Sequence, residues 1–142
     1  MACAETFKIA LVQMEMADET RENLALAVSG VREAAGQGAK VVCLPELFRT
    51  RYFCQNENPS RFDLAECAGG ETTEALAAVA RETGAAVIAP LFERRAPGVY
   101  HNSAVTISPT GEIAGLYRKM HIPDDPGYHE TVSYTHLTLP TN

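Results

Sequence analysis

The sequence has no Cys-x-x-Cys pair, no His-Glu-x-x-His segment and no apolar run approaching the roughly eighteen residues that a bilayer-spanning helix requires. A zinc site built on paired thiols or on a histidine helix is thereby excluded, and so is a membrane span. Basic residues are also in the minority. Twelve Lys and Arg against 18 Asp and Glu give a net charge of −6, which offers no general attraction to nucleic-acid phosphates or to anionic lipid. The opening MACAETFKIALVQ lacks a basic flank, a long apolar stretch and a cleavage site, so a cytoplasmic protein is expected. Cys3, Cys43, Cys54 and Cys67 then read as thiols of a reducing compartment.

What is present is ordinary for a globular chain. Of 142 residues, 46% are hydrophobic and 21% charged, enough for one domain with a core. Phe7 to Met14 is a near-continuous apolar run of strand length, which predicts a central parallel strand buried on both faces. Leu24, Val28, Val31 and Ala35 form an apolar stripe at helical spacing from Thr20 to about Gly36. Lys40–Leu44 reads as a second buried strand, so the chain begins β-α-β. The rhythm repeats with a helix from Glu71 to Glu82 and a strand from Ala85 to Phe92. Strands over Val99–Ile107 and Glu112–Tyr117 flank Ser108-Pro-Thr-Gly111, a turn that joins antiparallel neighbours. The predicted fold class is therefore α/β with a mixed sheet and helices on one face. Two stretches, residues 45–70 and 118–130, break every periodicity and read as site-forming loops.

Glu46 directly follows the strand ending VVCLP, at the carboxyl end where α/β sheets place their ligands. Partial desolvation there would suit it to general-base work, against the alternative of a surface glutamate opening a loop. Lys119, just past the last strand, could stabilise an oxyanion or be a solvated lysine. Glu130 lies in a Pro- and Gly-shaped loop able to return a second carboxylate to the same place. No nucleophile accompanies them. Cys43 sits in an apolar strand, Cys54 has no adjacent base, and His101, His121 and His129 are scattered, so neither a metal nor an organic cofactor is expected.

ALVQM, Leu-Pro-Glu-Leu-Phe around Glu46, Tyr-His-Asn-Ser from Tyr100, and Tyr-Arg-Lys-Met-His-Ile-Pro together resemble the nitrilase, or carbon-nitrogen hydrolase, superfamily. ELFRTRYFCQNENPSRFDLAE, LFERRAPGVYHNS and RKMHIPDDPGYHE are similar to the branch that hydrolyses N-carbamoylputrescine. The resemblance covers about residues 6–130 and implies the N-terminal half of a four-layer α-β-β-α sandwich. It also implies Glu46 as the base that activates a cysteine, Lys119 as the oxyanion cation and Glu130 as an assisting carboxylate. The implied products are putrescine, carbon dioxide and ammonia, and the implied assembly is a homo-oligomer. Asp124 and Asp125 are candidate partners for the distal ammonium of that substrate, or solvated loop acids. In the family the nucleophilic cysteine lies well downstream of the lysine segment, beyond this sequence, so the chain alone is expected to be inactive. Residues 131–142, with four Thr and no charged residue, depart from the pattern and read as a tail foreign to the domain. Another amidase of the superfamily, acting on carbamoyl amino acids or aliphatic amides, is the alternative enzyme. A short non-catalytic binding protein is the alternative of a different class.

Overall fold

A computed structural model describes residues 6–55 and 58–130. Helix α1 spans Thr20–Gly36 as its apolar stripe predicts, and it links strand β1 (Lys8–Leu11) to β2 (Ala39–Cys43). Helix α2 (Glu71–Thr83) links β2 to β3 (Ala86–Ala96), and hairpins carry the chain on to β4 (Val99–Ile107) and β5 (Ile113–Arg118). The sheet order is β1-β2-β3-β4-β5. Its first three strands are parallel and its last three are antiparallel to their neighbours, a mixed sheet.

Both helices lie on one face. Leu24, Ala27 and Val31 of α1 and Leu76, Val79 and Ala80 of α2 pack on Val42, Val87, Leu91, Val105 and Ile107. Burying an aliphatic side chain of this kind contributes about 1.5–3 kcal/mol. α2 closes at Gly84, whose φ of 69° is left-handed and whose N–H donates to Ala80 O at 2.8 Å. At its other end Glu66 accepts the Thr72 backbone N–H at 3.0 Å, and Glu71 and Glu74 lie in the first turn, where negative charge is favoured.

Alternation along the strands places the other set of side chains, among them Ile9, Leu11, Val41, Cys43, Ile88, Ala104 and Tyr117, on the opposite face. These are only half-buried or exposed, Leu11 reaching 80%. Among the described residues the first strand does not take the central position expected of it. Among them β1 pairs with β2 alone and forms an edge of the sheet. Its apolar run specifies two apolar faces, and those do not fix its place in the strand order. β3 also runs past the expected end at Phe92 as far as Ala96, because Glu93 and Arg94 pair with His101 and Tyr100 across the hairpin.

The long connection after β2 is organised. It contains a 3₁₀ helix (Pro59–Leu64) capped by Asn58, whose side chain accepts Ser60 N–H at 3.0 Å. It shelters a second small core of Leu47, Phe53, Cys54, Ala65 and Phe92. Buried Asn23 on α1 anchors it by donating to Arg49 O at 2.9 Å while exchanging two bonds with the Ala17 backbone. After β5 the chain forms a short hairpin, β6 (Asp124–Asp125) and β7 (Tyr128–His129). The His129 N–H donates to Cys54 O at 2.6 Å and joins the two loops. Cys3, the Asp124 side chain and the tail 131–142 lie outside the described residues. Among the described residues no helix is long and apolar enough to cross a membrane.

Candidate active site

Three residues widely separated in sequence meet where the two loops join. Glu46 leaves the end of β2 and is followed by Leu47 at a φ of 50°, the one positive φ at a non-glycine among the described residues. That left-handed turn costs an L-residue about 1–2 kcal/mol. Burial of the Leu47 side chain, 3% exposed, offsets it. Lys119 emerges from β5 with its N–H donated to Asn102 O at 2.8 Å, one step beyond the last strand pair. Glu130 is delivered by the β6–β7 hairpin.

The Lys119 Nζ donates to Glu130 Oε1 at 2.5 Å and to Glu46 Oε1 at 3.1 Å. The Asn102 Nδ2 donates to the same two oxygens, at 3.0 Å and 2.7 Å. Tyr52 OH reaches Glu130 Oε2 at 3.4 Å. One ammonium and one amide thus hold two carboxylates side by side, which charge repulsion alone would drive apart. Burial is unequal. The Glu130 side chain is 4% exposed and that of Glu46 48%, so the desolvation expected at Glu46 falls on Glu130 instead. Burial pulls the Lys119 pKa down, but hydrogen bonds to Glu130 and Glu46, with their charges, outweigh it and leave the value above that of an ordinary lysine. Burial also pushes the Tyr52 phenol up, aided by Cys54 and Glu130, so Tyr52 remains a donor.

Asn102 is the member that sequence reasoning missed. His101-Asn102-Ser103 are three consecutive buried polar residues on a strand, a break in apolar-polar alternation that could have flagged it. Asp125 is exposed on the hairpin beside Tyr128 and lies outside this bonded set. Among the described cysteines none forms a disulfide. Cys43 is half-buried with its thiol pKa raised by burial, Cys54 is buried beside Tyr52, and Cys67 is exposed. The described residues include no group of three or more His, Cys, Asp or Glu able to hold a metal ion. The site can hold and move a proton between carboxylates and present a cation to a developing oxyanion.

Residues 8–139 match the model of the carbon-nitrogen hydrolase family, and the chain belongs to that family. Among curated relatives, it is 40% identical over 124 residues to a citrullinase of Francisella tularensis, a match covering 87% of this chain and 43% of the relative. It is 37% identical over 123 residues to an N-carbamoylputrescine amidase of Solanum tuberosum, covering 86% and 41%. A carbon-nitrogen hydrolase from Helicobacter pylori superposes with a TM-score of 0.83 at 40% identity, covering 89% of this chain and 44% of that one. The chain spans about two fifths of the length of these relatives.

Proposed function

We propose that residues 6–130 are the N-terminal part of a hydrolase domain and supply the glutamate–lysine half of an amidase site acting on N-carbamoylputrescine. The observation that carries this reading is the Lys119 ammonium shared between Glu46 and Glu130. Such a pair of carboxylates around one cation suits a cysteine-dependent acyl transfer, with the thiol supplied by sequence beyond the described residues. Glu46 takes the thiol proton and the thiolate attacks the ureido carbonyl carbon. Lys119 stabilises the oxyanion of the tetrahedral adduct. Collapse breaks the bond to the terminal nitrogen, which leaves as ammonia carrying the proton from Glu46. Water, deprotonated by a carboxylate, cleaves the resulting S-carbamoyl thiocarbamate and regenerates the thiol. The released carbamic acid loses carbon dioxide to give the diamine.

Citrulline and N-carbamoylputrescine both carry a ureido group, so the names of the two relatives support that reacting group. Two carboxylates against one ammonium leave the site with an excess of negative charge, which favours a substrate with a distal cation. Asp125, exposed on the hairpin, is proposed to face that cation. The family likeness also supports a homo-oligomer in the cytoplasm.

Ammonia release by a protein that carries this chain at the length of its relatives tests the reading. kcat/KM is expected to be highest with N-carbamoylputrescine. A higher value with citrulline would assign the site to carbamoyl amino acids, the reading that 40% identity to a citrullinase favours. Failure to release ammonia from either, or from simple aliphatic amides, would remove the amidase proposal. The 142-residue chain alone is expected to release none, because catalytic groups act as a unit.

A further inference from the structure

Directly behind the site, on the helix-covered face of the sheet, lies a second ionic cluster that the proposed reaction does not use. Glu93 on β3 is 2% exposed. Arg118 grips its carboxylate with a fork, Nε to Oε2 at 2.8 Å and Nη2 to Oε1 at 2.6 Å, and Ser103 Oγ donates to Oε2 at 2.6 Å. Ser103 and Arg118 are cross-strand partners on β4 and β5. Each is also the immediate chain neighbour of a site residue, Ser103 of Asn102 and Arg118 of Lys119. One carboxylate therefore spans three strands at the level of the site, from the opposite face.

The register of β5 needs such a device. A strand's register is well specified where one of its faces is buried, and a slip of one residue turns every side chain to the other face. Among the described residues β5 pairs only with β4, and its large side chains Ile113, Leu116 and Tyr117 are left exposed by them. The pairing also contains an irregularity between Thr106 and Ile107. Apolar burial by the described residues thus specifies the register of β5 weakly, whereas a bidentate guanidinium–carboxylate fork fixes both distance and angle. A one-residue slip would break the fork and withdraw the Lys119 ammonium from Glu46 and Glu130.

We propose that Glu93 is a positioning residue that, through Ser103 and Arg118, sets the register of β5 and so places Lys119 against Glu46 and Glu130. The proposal rests on the amidase reading for its kinetic consequence but not for its structural one, and the test separates the two. In the protein carrying this chain at the length of its relatives, Glu93→Gln is compared with the paired change Glu93→Met with Arg118→Met. Replacing a buried ion pair by apolar side chains commonly keeps stability, so the paired variant is expected to melt near the wild type. Its kcat is expected to stay roughly 10- to 100-fold low with KM within about threefold, as for a small displacement of a catalytic group. The Lys119 amide, bonded to Asn102 O, is expected to exchange its hydrogen at least about tenfold faster than in the wild type, with the Val105 amide unchanged. A kcat that recovers with the melting temperature, or Lys119 exchange equal to wild type, would overturn the proposal. If the wild type turns over no substrate, the exchange measurement still decides the structural claim and the amidase reading alone fails.

Discussion

The Asn102 side-chain amide and the Glu130 carboxylate, 28 residues apart in sequence, meet at 3.0 Å in a bond closed to solvent. The same amide reaches Glu46 at 2.7 Å, so one neutral group satisfies two acceptors without adding charge. Asn102→Leu removes both donors and leaves a buried carboxylate under-satisfied. A loss of about 1–3 kcal/mol is expected in denaturant titration. In a protein carrying this chain at the length of its relatives, kcat for the proposed amidase reaction is expected to fall at least about tenfold, a loss near 1.4 kcal/mol of transition-state stabilisation.

Lys119→Met removes the cation that both carboxylates contact. Breaking such a pair around the buried Glu130 is expected to cost about 3–5 kcal/mol near neutral pH. The alkaline side tests the sign of the lysine shift. Its pKa is raised in the folded protein, so its stabilising contribution is complete below the unfolded value of about 10.4. That contribution disappears as pH rises through the folded value. Thermal melts should show an alkaline decline in the wild type that Lys119→Met lacks.

Glu93 makes the opposite prediction at acid pH. Burial works to raise its pKa, but hydrogen bonds from Arg118 and Ser103 prevail and hold it below the ordinary glutamate value. Its contribution is therefore present above the unfolded value of about 4.3 and is lost as pH falls through the lower folded one. Glu93→Gln should destabilise strongly near neutral pH and converge on the wild type in that acid window. Melts that stay parallel from neutral to acid pH would contradict it.

Gly111→Ala strikes the turn between β4 and β5. Gly111 has a φ of 77°, and an added Cβ would lie 2.7 Å from the Ala77 carbonyl oxygen of α2. Left-handed strain and overpacking together should cost about 2–4 kcal/mol. Gly36→Ala, where a Cβ meets nothing within 4 Å, is the control and should be near neutral or stabilising in the same chemical melt.

The helices and the β-α-β beginning were legible because local periodicity encodes them. Leu24 and Val31, or Leu76 and Val79, declare a buried stripe whatever follows in the chain. The edge position of β1 was not, since Ile9 and Leu11 record apolar faces and carry no information about neighbours. The trio Glu46, Lys119 and Glu130 was visible through strand ends and a family resemblance, but its unequal burial was not. That inequality depends on the β6–β7 hairpin closing over Glu130 through His129 and Cys54, a contact between two loops without period. Glu93 was hidden for a similar reason. Its partners Ser103 and Arg118 lie on other strands, and only the register brings them to it.

The strand order of the sheet repeats the order of the chain, each strand lying beside the one made before it. Among the described strands, each new one therefore has a partner made before it, and none is threaded between two others. Each pairing closes only the loop that separates consecutive strands, which keeps the entropic cost of every step small. The sheet can be laid down from β1 to β5 as the polypeptide leaves the ribosome, with Glu46 in place before Lys119 is translated. The Lys119–Glu130 pair can close only once the β6–β7 hairpin has been made, whereas Lys119 can meet Glu46 as soon as β5 is in place.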